Sequence, residues 1–231
     1  MYWLPLACDP TTHHPEPGDA THDVSFVGSV SASVHERRRE LIQSLETHYS
    51  VLAQEAAFEE EMRQICAKGR LVFNESAAQE LNMRIFEVMG MKRPLVTNTE
   101  AKYNGLSDLF EDGKHLITYA SEAQLIEKVG YYLEHPEERE AIAEAGYAEV
   151  METHTYAHRV ETLLQTVNMH LAEIERNDNA LEGDRLCTYL PTVPGTVVDI
   201  GLGIGASKVG LRKRGVKNLI GITQEPDAKK R

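Results

Sequence analysis

Five short apolar runs, each followed by a stretch with apolar residues at helical spacing, fill the sequence from Asp23 to Leu133. The runs are Asp23–Gly28, Tyr49–Leu52, Arg70–Asn74, Pro94–Thr97 and His115–Tyr119. The intervening stretches Val34–His48, Gln54–Ala67, Glu80–Met89 and Leu106–Phe110 read as helices. Three more follow: Glu122–Leu133 with Ser121 as N-cap, a helix from Pro136 to about Glu152, and Tyr156–Arg176. Short apolar strands alternating with amphipathic helices predict the α/β class, a Rossmann-like parallel sheet with helices on both faces. Such sheets bind ligands beyond the carboxyl ends of their strands. The positions to examine are therefore Gly28-Ser29, Asn74 onward, Thr97-Asn98 and Tyr119-Ala120.

Composition narrows the class further. A chain of 231 residues, 42% apolar and 26% charged, suffices for one large domain or two small ones. Collagen-like, disordered and disulfide-stapled classes are excluded. No apolar run approaches the roughly 18–20 residues that span a bilayer. Met1–Cys8 is too short, too proline-broken and too poor in positive charge for a signal peptide. Cys8, Cys66 and Cys187 are far apart, without metal-type spacing. Their odd number fits a reducing cytoplasm, with each as a buried apolar filler.

Charge divides the chain. Against 24 basic residues stand 36 acidic ones, a net of −12. From Leu181 onward there are nine basic and five acidic residues, which leaves 15 and 31 before it. So acidic a first part disfavours nonspecific nucleic-acid binding. The change of sign near Asn177–Gly183 marks a domain boundary. The expected organisation is an interlobe segment at 1–22, a lobe at 23–176, a linker at 177–194 and a second unit at 195–231.

Leu81–Asn98 carries most of the chemical information. Its helix follows a strand and a polar loop, so backbone N–H groups and the positive dipole end face the crevice. A diphosphate suits such a place. Glu80, Arg84 and Glu87 fall on one helix face. A carboxylate there can take a ribose or sugar hydroxyl, and Arg84 can neutralise a phosphate. The same spacing equally describes an exposed ion-pair ladder, at roughly a few tenths of a kcal/mol per pair. His154, His158 and Arg159 have a spacing that a metal pair can use, yet no third ligand is placed beside them. They read as packing at a helix start. His13 and His14, in a proline-rich stretch, read as solvated loop residues, and Glu134–Glu149 as a solvated helix face.

Several motifs occur in a consistent order across residues 2–165. They are Phe26-Val-Gly28-Ser29, Arg37-Arg38, Leu71-Val-Phe-Asn74 and Leu81-Asn-Met-Arg84-Ile-Phe-Glu87 with Gly90 and Pro94. Leu109-Phe110-Glu-Asp-Gly113, His135-Pro-Glu-Glu-Arg139, Ala145-Gly146 and His154-Thr-Tyr156-Ala-His-Arg159 continue the series. Together they resemble the donor-binding C-terminal lobe of group 1, GT-B-fold glycosyltransferases, especially the spore-maturation-type bacterial subgroup. Trp3–Asp9 looks like the segment where that family crosses between its lobes. The resemblance implies retaining transfer of a sugar from a nucleotide-activated donor to a glycan or other acceptor, with no metal. It places Glu87 on the nucleotide ribose, and Asn82, Met83 and Arg84 beside the diphosphate. Gly28 and Ser29 would let the first loop approach closely; no catalytic base or nucleophile is assigned. Broader relatives separate two glutamates by seven residues. Here six lie between Glu80 and Glu87, so Glu80 stays outside the site. Where the family usually offers glycine, this chain has Ala53–Ala57.

A second glycine motif, Gly195-Thr-Val-Val-Asp199-Ile-Gly201-Leu-Gly203-Ile-Gly205, joins an apolar strand to a helix at Ala206–Arg214. Val216–Ile222 reads as the next strand. The motif resembles the first motif of class I S-adenosylmethionine-dependent methyltransferases. That resemblance implies cofactor contacts from Asp199, Gly201, Gly203 and Gly205, with Glu225 near the ribose. A glycine-rich turn without ligand remains the alternative. About fifty residues form only the opening of such a domain, a truncated second βαβ unit. The expectation is a cytoplasmic glycosyltransferase fragment, lacking its N-terminal acceptor lobe and inactive alone, fused to an incomplete methyltransferase. The alternative is a non-catalytic nucleotide-binding or interaction module that docks through its acidic helices.

Overall fold

The computed structural model describes residues 2–31, 35–76, 80–99, 105–178, 196–201 and 218–223. Its elements begin with β1 (Tyr2–Trp3), β2 (His22–Val27), α1 (Glu36–Glu46), β3 (Val51–Gln54), α2 (Glu59–Lys68) and β4 (Gly69–Asn74). Next come α3 (Met83–Gly90), β5 (Leu95–Asn98), α4 (Leu106–Leu109), β6 (Ile117–Tyr119), α5 (Glu122–Glu134) and α6 (Pro136–Thr153). The last are α7 (Tyr156–Asp178), β7 (Thr196–Gly201) and β8 (Asn218–Thr223). They fall into two compact units, Leu6–Tyr156 and Met1–Pro5 with Ala157–Arg231.

In the larger unit five strands pair in the order β3-β2-β4-β5-β6, every neighbouring pair parallel. This is the α/β Rossmann-like architecture that the alternating pattern predicts. Leu71, Val72 and Phe73 of the central strand are all fully buried, as a strand covered on both faces requires. On one face Val24, Phe26, Leu71, Phe73, Val96 and Ile117 pack with Leu41, Ile42 and Leu45 of α1 and Leu125 and Val129 of α5. The other helices bury Met62, Ile65 and Cys66 from α2 and Ile85, Phe86 and Met89 from α3. Ser121 caps α5 by accepting from the Gln124 amide, and Pro136 opens α6.

Several expectations need correction. The helix expected from Gln54 begins only at Glu59, because Ala53 and Gln54 pair with Phe26 and Val27 as the end of β3. The helix expected from Glu80 begins only at Met83, because Asn82 is extended and the Glu80 amide donates to Ser76 Oγ at 2.8 Å. Glu80 therefore lies in the loop, and the shared helix face contains only Arg84 and Glu87. His13 is not a solvated loop residue; it is buried, with 8% of its surface exposed. The reason is a tight turn from Asp9 to His13, in which the His13 amide donates to the Asp9 carbonyl at 2.7 Å.

In the smaller unit the order is β1-β8-β7, again parallel, with Thr196 opposite Asn218 and Gly201 opposite Thr223. Within the expected interlobe segment, Tyr2 and Trp3 form a strand because Ile222 and Thr223 pair with them. Arg159 Nε donates to the Pro5 carbonyl at 2.9 Å, and His170 Nε2 lies 2.6 Å from the Tyr2 hydroxyl. α7 extends through Asp178, into the first residues of the expected linker. The rest of that linker, Cys187 and the helix expected at Ala206–Arg214 lie outside the described residues. Among the described residues, no helix is long and apolar enough to cross a membrane.

Candidate functional site

β2 lies between β3 and β4, so the chain leaves β2 toward one side of the sheet and returns to the other. At such a reversal the loops after the two strands diverge and open a crevice at their carboxyl ends. The loop after β2 starts at Gly28, whose φ of +153° favours glycine; a Cβ there would meet the Phe26 ring at 3.1 Å. Its amide donates to the Gln54 carbonyl at 3.1 Å, and two residues on the Val30 amide donates to Glu55 Oε1 at 2.8 Å.

The loop after β4 is unusually polar for its depth. Asn74, Glu75 and Ser76 are all buried. Asn74 Nδ2 donates to Thr97 Oγ1 at 2.9 Å, and the Ser76 amide to Asn98 Oδ1 at 2.9 Å. Glu75 is the hub. Its Oε1 accepts from Arg37 Nε at 3.1 Å and its Oε2 from the Tyr119 hydroxyl. Its carbonyl accepts from Arg38 Nε at 3.0 Å and Nη2 at 2.6 Å, while Arg38 Nη1 donates to the Ser29 carbonyl at 2.8 Å. Arg38 thus ties together the two loops that border the crevice. Burial pulls the Arg38 guanidinium below its ordinary value, offset by the charge of Glu75. Burial, then the Glu75 charge, pushes the Tyr119 phenol far up, so it stays a donor. Arg37 differs in being 61% exposed at its side chain, with donors available to an incoming anion.

α3 carries a second group. Asn82 precedes it, but its side chain makes no cap; the amide faces Asn74 at 3.3–3.4 Å instead. One turn in, Glu87 is 6% exposed and its Oε2 lies 3.0 Å from Arg84 Nη1. Its Oε1 lies 3.4 Å from His13 Nε2. Arg84 also lies against Met62. Met83 points elsewhere, 42% exposed, and accepts from the Tyr156 hydroxyl at 3.3 Å.

The expected residues thus separate into groups. Gly28 and Ser29 join Arg38 and Glu75, Asn82 joins Asn74, and Arg84 joins Glu87. Asp199 and Gly201 stand in β7 of the smaller unit, whereas Gly203, Gly205 and Glu225 lie outside the described residues. Five residues of these groups, Glu75, Arg37, Arg38, Tyr119 and His13, have no site role in the sequence analysis. Strand-end position pointed toward Glu75 and Tyr119, and the motif order toward Arg38; nothing local distinguished His13. His154 packs edge-on to Phe86 and Phe110, with ring centroids 5.8 and 5.0 Å away. Among the described residues, no cluster of three or more His, Cys, Asp or Glu has a geometry that can hold a metal ion.

Comparison with known proteins agrees with this geometry. Residues 23–165 match the model of the glycosyl transferase-like family. Among solved structures the fold is similar to sucrose-phosphate synthase from Thermosynechococcus elongatus, with a TM-score of 0.58 at 11% identity over 74% of this chain and 52% of that one. It is also similar to Anabaena HepE in complex with UDP and glucose: TM-score 0.55, 15% identity, 70% of this chain and 55% of that one. A glycosyltransferase from Rickettsia africae gives 0.53 at 12% identity, over 73% and 56%. The chain spans about half the length of these structures. No curated protein matches it.

Proposed function

Because this chain belongs to the glycosyl transferase-like family, we propose that the crevice beyond β2 and β4 binds a nucleotide-activated sugar for glycosyl transfer. The observation that carries the reading is the convergence, at one end of a parallel sheet, of two arginines on α1, an α3 start without a side-chain cap and a buried carboxylate one turn into α3. In sugar transfer the bond from the anomeric carbon to the diphosphate breaks as an acceptor hydroxyl attacks, and negative charge grows on the leaving group. The exposed guanidinium of Arg37 and the leading amides of α3 supply the compensating donors. Asn82, Met83 and Arg84 begin the helix beside which the diphosphate would lie. Glu87 accepts from the ribose hydroxyls, and Gly28 and Ser29 keep the first loop close.

Finer readings rest on the motif resemblance. They are a retaining outcome, membership of the spore-maturation-type subgroup, and a glycan acceptor. The parallel pairing of β7 with β8 supports reading 195–231 as the opening of an S-adenosylmethionine-binding unit, with Asp199 and Gly201 at the end of its first strand. The cysteines of the sequence are few and widely spaced, which supports a cytoplasmic setting. Burial pushes the Cys66 thiol up to about 12, as expected of an inert filler.

The test is calorimetric titration of the full chain with UDP, UDP-glucose and a panel of other nucleotide-sugars. Binding at or below the millimolar range is expected, weakened about tenfold by Arg37→Ala. No heat of binding from a folded chain at millimolar ligand sinks the reading.

A further inference from the structure

We propose that His13 is a positioning residue that holds the Glu87 carboxylate in register for its ligand; this rests on the nucleotide-sugar reading above. The turn preceding the sheet is built around one aspartate. Asp9 Oδ1 accepts from the Thr11 amide at 2.9 Å and the Thr11 hydroxyl at 2.7 Å, and Oδ2 from the Thr12 hydroxyl at 3.3 Å. The Asp9 carbonyl accepts from the amides of Thr12 and His13. The Asp9 amide in turn donates to His13 Nδ1 at 3.2 Å. With Nδ1 as acceptor, the proton of a neutral imidazole resides on Nε2, the nitrogen that faces Glu87 Oε1 at 3.4 Å.

The turn is anchored to the same sheet-and-helix unit as Glu87. Cys8 pairs with the chain beside Thr155 through its amide to the His154 carbonyl and its carbonyl from the Tyr156 amide. Arg63 Nη1 donates to the Thr12 carbonyl at 2.8 Å, and its Nε lies 3.2 Å from Glu16 Oε2. Gly90, at the end of α3, admits the turn: a Cβ there would meet Cys8 Sγ at 3.1 Å and the His13 carbonyl at 3.2 Å. The two carboxylate oxygens of Glu87 therefore face polar groups from different directions. Arg84 pairs with one from within α3, and His13 Nε2 faces the other from a turn 74 residues earlier. A carboxylate fixed on both oxygens before binding need not be ordered by the ligand, which raises affinity.

Two substitutions separate this role from packing. His13→Asn keeps an acceptor for the Asp9 amide but cannot reach Glu87; His13→Gln places an amide donor where Nε2 stands. UDP affinity of the full chain is expected to fall about tenfold in His13→Asn and to return to within about twofold of wild type in His13→Gln. Wild-type affinity in His13→Asn overturns the proposal. Long-range proton–nitrogen NMR of the wild-type chain above pH 7 gives a readout independent of both variants. The Nε2–H tautomer with an accepting Nδ1 is expected, and an Nδ1–H tautomer overturns the proposal. If the wild-type chain binds neither UDP nor any nucleotide-sugar, the donor reading falls and the positioning role with it. If wild type binds and His13→Asn binds equally well, only the role of His13 falls.

Discussion

Glu75 and Glu87 are both buried glutamates beside arginine, at the same end of the sheet, yet they are assembled in opposite ways. Glu87 meets Arg84 three residues before it on one helix, and only His13 comes from afar. Glu75 meets Arg37, Arg38 and Tyr119, which lie 37–44 residues away in sequence. The first is a local pair refined by one distant contact. The second exists only because β2, β4 and β6 lie in one sheet. In the proposed site they have different duties: Glu75 braces the crevice, and Glu87 takes the ligand.

The largest expected effect tests that division. Glu75→Ala leaves Arg37 without its carboxylate and removes the strong acceptor of a buried phenol. Tyr119 keeps the Asn74 carbonyl at 3.3 Å, and Arg37 is mostly exposed, so the loss should be about 2 kcal/mol of unfolding free energy in urea. A change below about 0.5 kcal/mol would deny Glu75 a bracing role. Next, Glu87→Ala should weaken UDP binding about tenfold, or ~1.4 kcal/mol, while the unfolding transition stays cooperative. Unaltered affinity removes Glu87 from the site. Tyr119→Phe takes one donor from Glu75 and should cost about 1 kcal/mol in the same urea measurement, with Arg37 retained as partner.

A smaller effect concerns pH. Burial lowers the pKa of His13 from its ordinary value of 6.5, and the Glu87 charge opposes this without reversing it. The unfolded chain then binds the proton more readily, so the contribution of His13 is fully present above pH 6.5 and is lost as pH falls through the folded value. His115 is lowered too, by burial first, and adds in the same direction. Stability measured from pH 7.5 down to 5 should decline, and His13→Asn should flatten part of that decline. An identical slope in the variant would show that His13 titrates alike in the folded and unfolded chains. The smallest effect is on stability in Arg37→Ala, under about 0.5 kcal/mol because the guanidinium is largely in water. With the loss of binding expected from the same variant, that would separate ligand contact from bracing within one cluster.

How far the site was legible follows from these distances. Arg84 and Glu87 stand on one helix, and helical spacing alone put them together. Gly28 and Ser29 follow a strand, and the rule that ligands gather at strand ends identified them. The helix starts three residues later than its pattern predicts, because the Ser76 hydroxyl, not a propensity within Glu80–Asn82, holds the Glu80 amide in a loop. The proline-rich surroundings of His13 suggest solvent, yet the residue is buried. Its burial depends on Asp9, Arg63 and Gly90 closing round it.

Local pattern along the chain accounts for the parallel sheet, its five strands and the helix face that presents Arg84 and Glu87. Those features depend on periodicity and capping, which act within a few residues. Packing across the whole unit sets β2 beside β4, joins their two loops through Arg38, and gives Glu75 and Glu87 their distant partners. Strand order, and the burial that makes a charged pair count, arise from long-range packing of apolar faces. No short stretch of the chain encodes that packing alone.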